Sequence, residues 1–91
     1  MLKLTNEEFD NEPREPLTHA AMKFMIARVI DNANDAIKEA IVKKHDENEE
    51  FYQGRQFAYY EVLDTLKNEL IAHDQDLKEF GLDVNLEHMF S

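Results

Sequence analysis

Apolar residues recur at steps of three and four through most of the chain. Met22, Ile26, Val29, Ile30, Ala33, Ala36, Ile37, Ala40 and Ile41 form one series, the spacing of a single helical face. A second series holds Phe51, Tyr52, Ala58, Tyr59, Val62, Leu63, Leu66, Leu70, Leu77 and Phe80. It keeps its phase when about 100° is allotted to each residue. The pattern therefore predicts two long helices, at about 16–45 and 47–80.

Punctuation agrees with that division. Pro16 suits the first turn of the first helix. Asp46 and Glu49 have capping-box spacing before the second, and Gly81 stands where a C′ glycine would end it, with Leu82 and Leu77 placed for the apolar contact of a Schellman motif. A break near Asp74 is the alternative, because Asp74 and Asp76 are both capable caps, but the unbroken phase favours continuity. Ahead of the hairpin, Thr5 with Glu8, flanked by Leu4 and Phe9, predicts a short helix stopped by Pro13 and Pro16. The organisation expected is one domain over 1–91: an N-terminal arm with a short helix (1–15), a helical hairpin (16–80) and a C-terminal arm (81–91).

A polar connection of only a few residues makes the two helices antiparallel neighbours, each about 45–50 Å long. With the turn near residues 45–48, facing positions have numbers adding to about 92. Ala33 then meets Ala58 or Tyr59, and Ala40 meets Phe51 or Tyr52, so small side chains oppose large ones. The expected core seam is Ile26, Ile30, Ala33 and Ile37 against Tyr59, Val62, Leu66 and Leu70. Gly54 lies beside it and is read as a point of close backbone approach, at a cost of about 1 kcal/mol relative to Ala.

Not every apolar residue fits that seam. Phe57, Tyr60 and Ile71 form a second stripe on helix two, and Leu17, Phe24 and Val42 leave the main face of helix one. The terminal arms, through Leu2, Leu4 and Phe9 or Val84, Leu86, Met89 and Phe90, are expected to reach only the open end of the hairpin, whereas Phe57 and Tyr60 lie nearer its middle. The all-α hairpin is therefore expected to complete a four-helix bundle as a two-fold homodimer, with Phe57, Tyr60, Ile71, Phe24 and Leu17 at the interface.

Composition narrows the picture further. The 91 residues include 20 Asp and Glu against 10 Lys and Arg, a formal charge of −10. The imbalance is local: residues 17–45 carry 5 basic and 3 acidic groups, and 46–80 carry 3 and 10. Unlike helices thus attract and helix two repels its own copy. No apolar run approaches the ~18 residues of a membrane span, and two Gly and two Pro leave few turn positions for a β fold. The opening MLKLTNEEFDNEPREP lacks a basic segment followed by an apolar one, so a cytoplasmic location is expected.

Candidate chemistry is sparse. There is no cysteine, the only serine is Ser91, and no Gly-rich loop precedes a helix, so nucleophilic catalysis has no nucleophile and no enzyme is expected. His19 and His73 satisfy the facing rule, and Glu15 and Glu69 each stand four residues before one of them. Such pairs are metal-ligand candidates, but the inward acids that di-metal bundles need are missing, and no cofactor is expected. The run from Phe51 to Tyr60 holds five aromatics with Arg55, a composition able to stack bases. Single-strand binders need a positive groove, which this acidic helix does not offer. Three readings follow: a dimeric protein–protein interaction module acting as a regulator or accessory protein; an acidic inhibitor of antitoxin or anti-repressor type, imitating nucleic acid towards a basic partner; and a metal- or small-ligand-binding bundle.

Overall fold

A computed structural model describes residues 16–91 of the chain. It is an all-α hairpin: α1 (His19–Val42) and α2 (Glu49–Ala72) pack against each other, followed by a 3₁₀ turn (Leu77–Phe80) and a single-turn helix, α3 (Leu86–Met89). The short helix expected before Pro13, and the apolar residues Leu2, Leu4 and Phe9, lie outside the described residues.

Each boundary has a local cause. Thr18, rather than Pro16, starts α1: its hydroxyl oxygen accepts from the Ala21 N–H at 3.0 Å, supplying one of the donors a helix start leaves unpaired. The chain turns back through His45, at φ 69°. The capping box expected from Asp46 and Glu49 is replaced by a tighter arrangement. The Asp46 carboxylate accepts from the Asn48 N–H two residues on, at 2.9 Å, and Glu49 instead accepts from the Gln53 side chain at 3.2 Å. Glu49 and Glu50 still occupy the first turn of α2, where the helix dipole favours them.

The main departure from expectation is the end of α2. The helix stops at Ala72 and does not continue to 80. Asp74 adopts the left-handed conformation at φ 55°, the Gln75 N–H donates to Leu70 at 2.9 Å and the Asp74 N–H to Ile71 at 3.0 Å. That is a Schellman motif with aspartate where glycine is usual. Asp76 then caps the 3₁₀ turn by accepting from the Lys78 N–H at 3.1 Å. A second Schellman motif closes it, with Gly81 at φ 74° and the Leu82 N–H donating to Leu77 at 3.0 Å. The expected Gly81 cap is present, but on a different element.

After the reversal the chain returns along α2 instead of stopping at its end. The Lys67 ammonium donates to the Val84 carbonyl at 2.6 Å, and the Gln56 amide to that of Phe90 at 3.0 Å. Among the described residues eight hydrophobic ones are buried, Ile26, Ala33, Ala36, Leu63, Leu70, Phe80, Leu82 and Leu86, and the returning segment supplies three of them. Leu63 and Leu82 are the largest fully buried side chains. Leu63, not Val62, occupies the centre of the seam, and Val62 is 45% exposed. Ile41 and Phe51 are likewise exposed, since among the described residues no third segment covers the pair near the turn. Ile30, Ile37, Tyr59 and Leu66 are half-buried beside the seam. Gly54 is not the point of close backbone approach expected, because a Cβ built there meets nothing within 4 Å.

Two outcomes follow. Leu82→Ala is expected to cost about 3 kcal/mol, as much as Leu63→Ala, because both leave a cavity in the same core; urea denaturation of the two variants measures the comparison. Gly54→Ala is expected to raise stability by up to about 1 kcal/mol, since it removes unfolded-chain entropy in an open helical position. A fall in the unfolding midpoint of Gly54→Ala would show that the backbone is constrained there.

Candidate interaction surface

The residues singled out for contact divide once the returning segment is in place. Leu17, Phe24, Phe57 and Ile71 are all more than half exposed, Phe24 most at 73%. Tyr60 is different. Its ring lies parallel to Phe57 at 6.1 Å and edge-on to Phe90 at 5.6 Å, so the C-terminal segment half-buries it. The expectation that the arms shield only the hairpin's open end is corrected: Phe90 reaches the middle of α2. Its signal in the sequence was the Asp74–Asp76 break, which frees ten residues beyond Gly81 to run back.

Of the remaining aromatics of the run, Tyr52 and Tyr59 are half-buried within the hairpin, while Phe51 stays exposed. Arg55 donates to Glu39 of α1 at 3.0 Å and stands 5.6 Å from the Tyr59 ring, tying the two helices together by charge and by cation–π attraction. Lys43 sits 5.8 Å from the Tyr52 ring, which meets Phe51 edge-on at 5.2 Å. The only cation within the aromatic run is thus occupied by a carboxylate.

The two histidines line one groove of about 590 Å³ at the hairpin's open end, with Leu17, Met22, Ile26, Leu66 and Leu70 as apolar walls. Their partners differ. His19 Nε2 lies 2.6 Å from Glu79 Oε2, its ring edge-on to Phe80 at 5.3 Å. His73 Nε2 lies 3.6 Å from Glu69 Oε2, both side chains largely exposed. Glu15 is outside the described residues. Glu79 was not visible as a partner in the sequence, because its approach to His19 depends on the reversal at Asp74. Among the described residues, no group of three or more His, Asp or Glu side chains is gathered in a metal-holding arrangement.

A second groove, of about 600 Å³, runs between α1 and the 3₁₀ turn. Phe24, Ala27, Ile30 and Phe80 line its floor, and Lys23 and Lys78 stand with Asp31 and Glu79 at its edges. A third, of about 380 Å³, lies beside Phe57, Tyr60 and Phe90. Apolar floors with mixed charged rims suit contact with protein side chains. Among the described residues, no helix is long and apolar enough to cross a membrane.

Because the His19–Glu79 pair is about half exposed, Glu79→Gln is expected to lower stability by less than about 1 kcal/mol, read from its melting transition. Zinc is expected to leave the melting temperature unchanged; a rise that disappears in His73→Ala would reveal a metal site. Comparison with known proteins finds no matching family model, no similar curated protein and no similar solved structure.

Proposed function

We propose that this chain is a small acidic interaction module of the cytoplasm, a regulator or accessory protein without catalysis of its own, that contacts another protein and a second copy of itself. One observation carries the reading. Ten large hydrophobic side chains stand exposed on the described residues, among them Phe24, Ile41, Phe51 and Phe57, against six of that size that are buried. Single exposed apolar residues are ordinary. Here they are grouped along helix faces and around shallow grooves, and three of them are phenylalanines, side chains that interfaces favour. Nucleic acid and membrane are not partners in this reading, since the long aromatic helix is acidic and Arg55 is engaged by Glu39.

The acidic inhibitor is the second reading, supported by the charge of −10 and its concentration in 46–80. Ionic strength separates the two. Contact through apolar faces survives about 0.5 M salt, whereas contact through exposed charge is screened.

The test is affinity capture with the tagged full chain from its native cytoplasm, at low and at high salt. One protein recovered in stoichiometric yield at both salts, and lost with Phe24→Glu or Phe57→Glu variants of unchanged helicity, is the expected result. Recovery that fails at high salt transfers support to the acidic inhibitor. Recovery of the chain alone refutes a second protein partner.

A further inference from the structure

The returning C-terminal segment lies on one side of the hairpin only. With about 100° per residue, Ile30 and Ala27 fall on one side of the Ile26–Ala33 line of α1. That is the side facing the 3₁₀ turn, where a Cβ on Gly81 would stand 3.3 Å from Ile30 Cδ1. On α2, Tyr60 and Lys67 fall on the side of the Leu63–Leu70 line that meets Phe90 and Val84. Met25 and Val29 of α1, with Ala58, Val62 and Leu66 of α2, fall on the opposite side. Met25 is 56% exposed, and shallow grooves border Val62 and Leu66. On α2 this face also carries Glu69, held near His73, and Arg55, engaged by Glu39, while Glu61 stands at its outer edge.

We propose that this face, rather than the Phe57–Tyr60 stripe, seats a second copy of the chain, with α1 of each molecule lying over α2 of the other. This rests on the interaction reading above and specifies its homotypic surface. Size supports it. Two helices of 24 residues run about 36 Å, and axes 8–10 Å apart make a face on the order of 700 Å². That approaches the ~800 Å² per partner of a stable interface.

Charge selects the arrangement. A two-fold axis across the helices would lay α2 on α2, and α2 carries Glu49, Glu50, Glu61, Asp64 and Glu69 against only Arg55 and Lys67. An axis parallel to the helices lays α1 on α2 instead. In α1, Lys23, Arg28 and Lys38 balance Asp31, Asp35 and Glu39. The facing rule of the hairpin puts Arg28 at the level of residue 64, so the exposed Arg28 of one molecule, at the outer edge of α1, lies about 4.5 Å along the axis from the exposed Glu61 at the outer edge of the other's α2. The contact occurs twice by symmetry. Val29 and Val62 come to the same level at its centre.

Sedimentation equilibrium of the full chain is expected to give a dimer at tens of micromolar. Val62→Glu, and independently Met25→Glu, are expected to weaken it by roughly tenfold or more with helicity retained. Phe57→Glu is expected to leave it intact while removing the captured partner of the preceding section, so the two proposals fail separately. The chain has no cysteine, which makes register readable by oxidation. A mixture of Val29→Cys and Val62→Cys chains is expected to cross-link with each other. Self-cross-linking of Val62→Cys in greater yield overturns the arrangement. A wild-type chain that stays monomeric at about 200 µM overturns the proposal, whether residues 1–15 or another protein covers the face.

Discussion

Two antiparallel helices touch along a single line, and that line buries too little for a chain of this size to remain folded on it alone. The structure rests on how the deficit is met. A left-handed residue at Asp74 stops α2, turns the backbone, and delivers Phe80, Leu82 and Leu86 onto the hairpin. Without that reversal the described core would lose Phe80, Leu82 and Leu86 and keep only Ile26, Ala33, Ala36, Leu63 and Leu70 from the hairpin. The His19–Glu79 pair, the half-burial of Tyr60 and the groove beside Phe24 all follow from it.

Legibility in the sequence followed the reach of each interaction. Periodicity of three and four is set by the geometry of one helix, so the two rods and their antiparallel sense were readable from Met22–Ile41 and Phe51–Leu70. Gly81 was readable as a cap because left-handed backbone without a Cβ cost has few other occupants. The end of α2 was not. Leu77 and Phe80 continue the helical phase of Leu63 and Leu70 although they reach the core from a separate segment. Burial in a small protein demands apolar residues from any element that touches the core, and nothing forbids two elements from sharing a phase.

The same limit governs the surface. Phe24 and Phe57 were identifiable as surplus because no position on the seam was left for them. Tyr60 was placed with them, and only the path of residues 82–90 distinguishes its surroundings. The pairing of Glu79 with His19 is hidden for the same reason: a contact between residues 60 apart in sequence has no spacing signature. Val62 and Leu63 show the finest scale of the difficulty. They are adjacent, both apolar, and about 100° of helix separates a residue that is fully enclosed from one that is nearly half exposed.

The tethers of the returning segment are of a particular kind. Lys67 and Gln56 reach from α2 to main-chain carbonyls, bonds that water replaces at little cost, and neither belongs to a helical ladder. What holds the last stretch down is Leu82 and Leu86 seated beside Leu63. Its hinge, between Gln75 and Asp76, lies outside every helix. Among the described residues the least expensive excursion from the native arrangement is therefore a peeling of the tail as one piece, with both rods left wound and a fresh oily strip uncovered along the second.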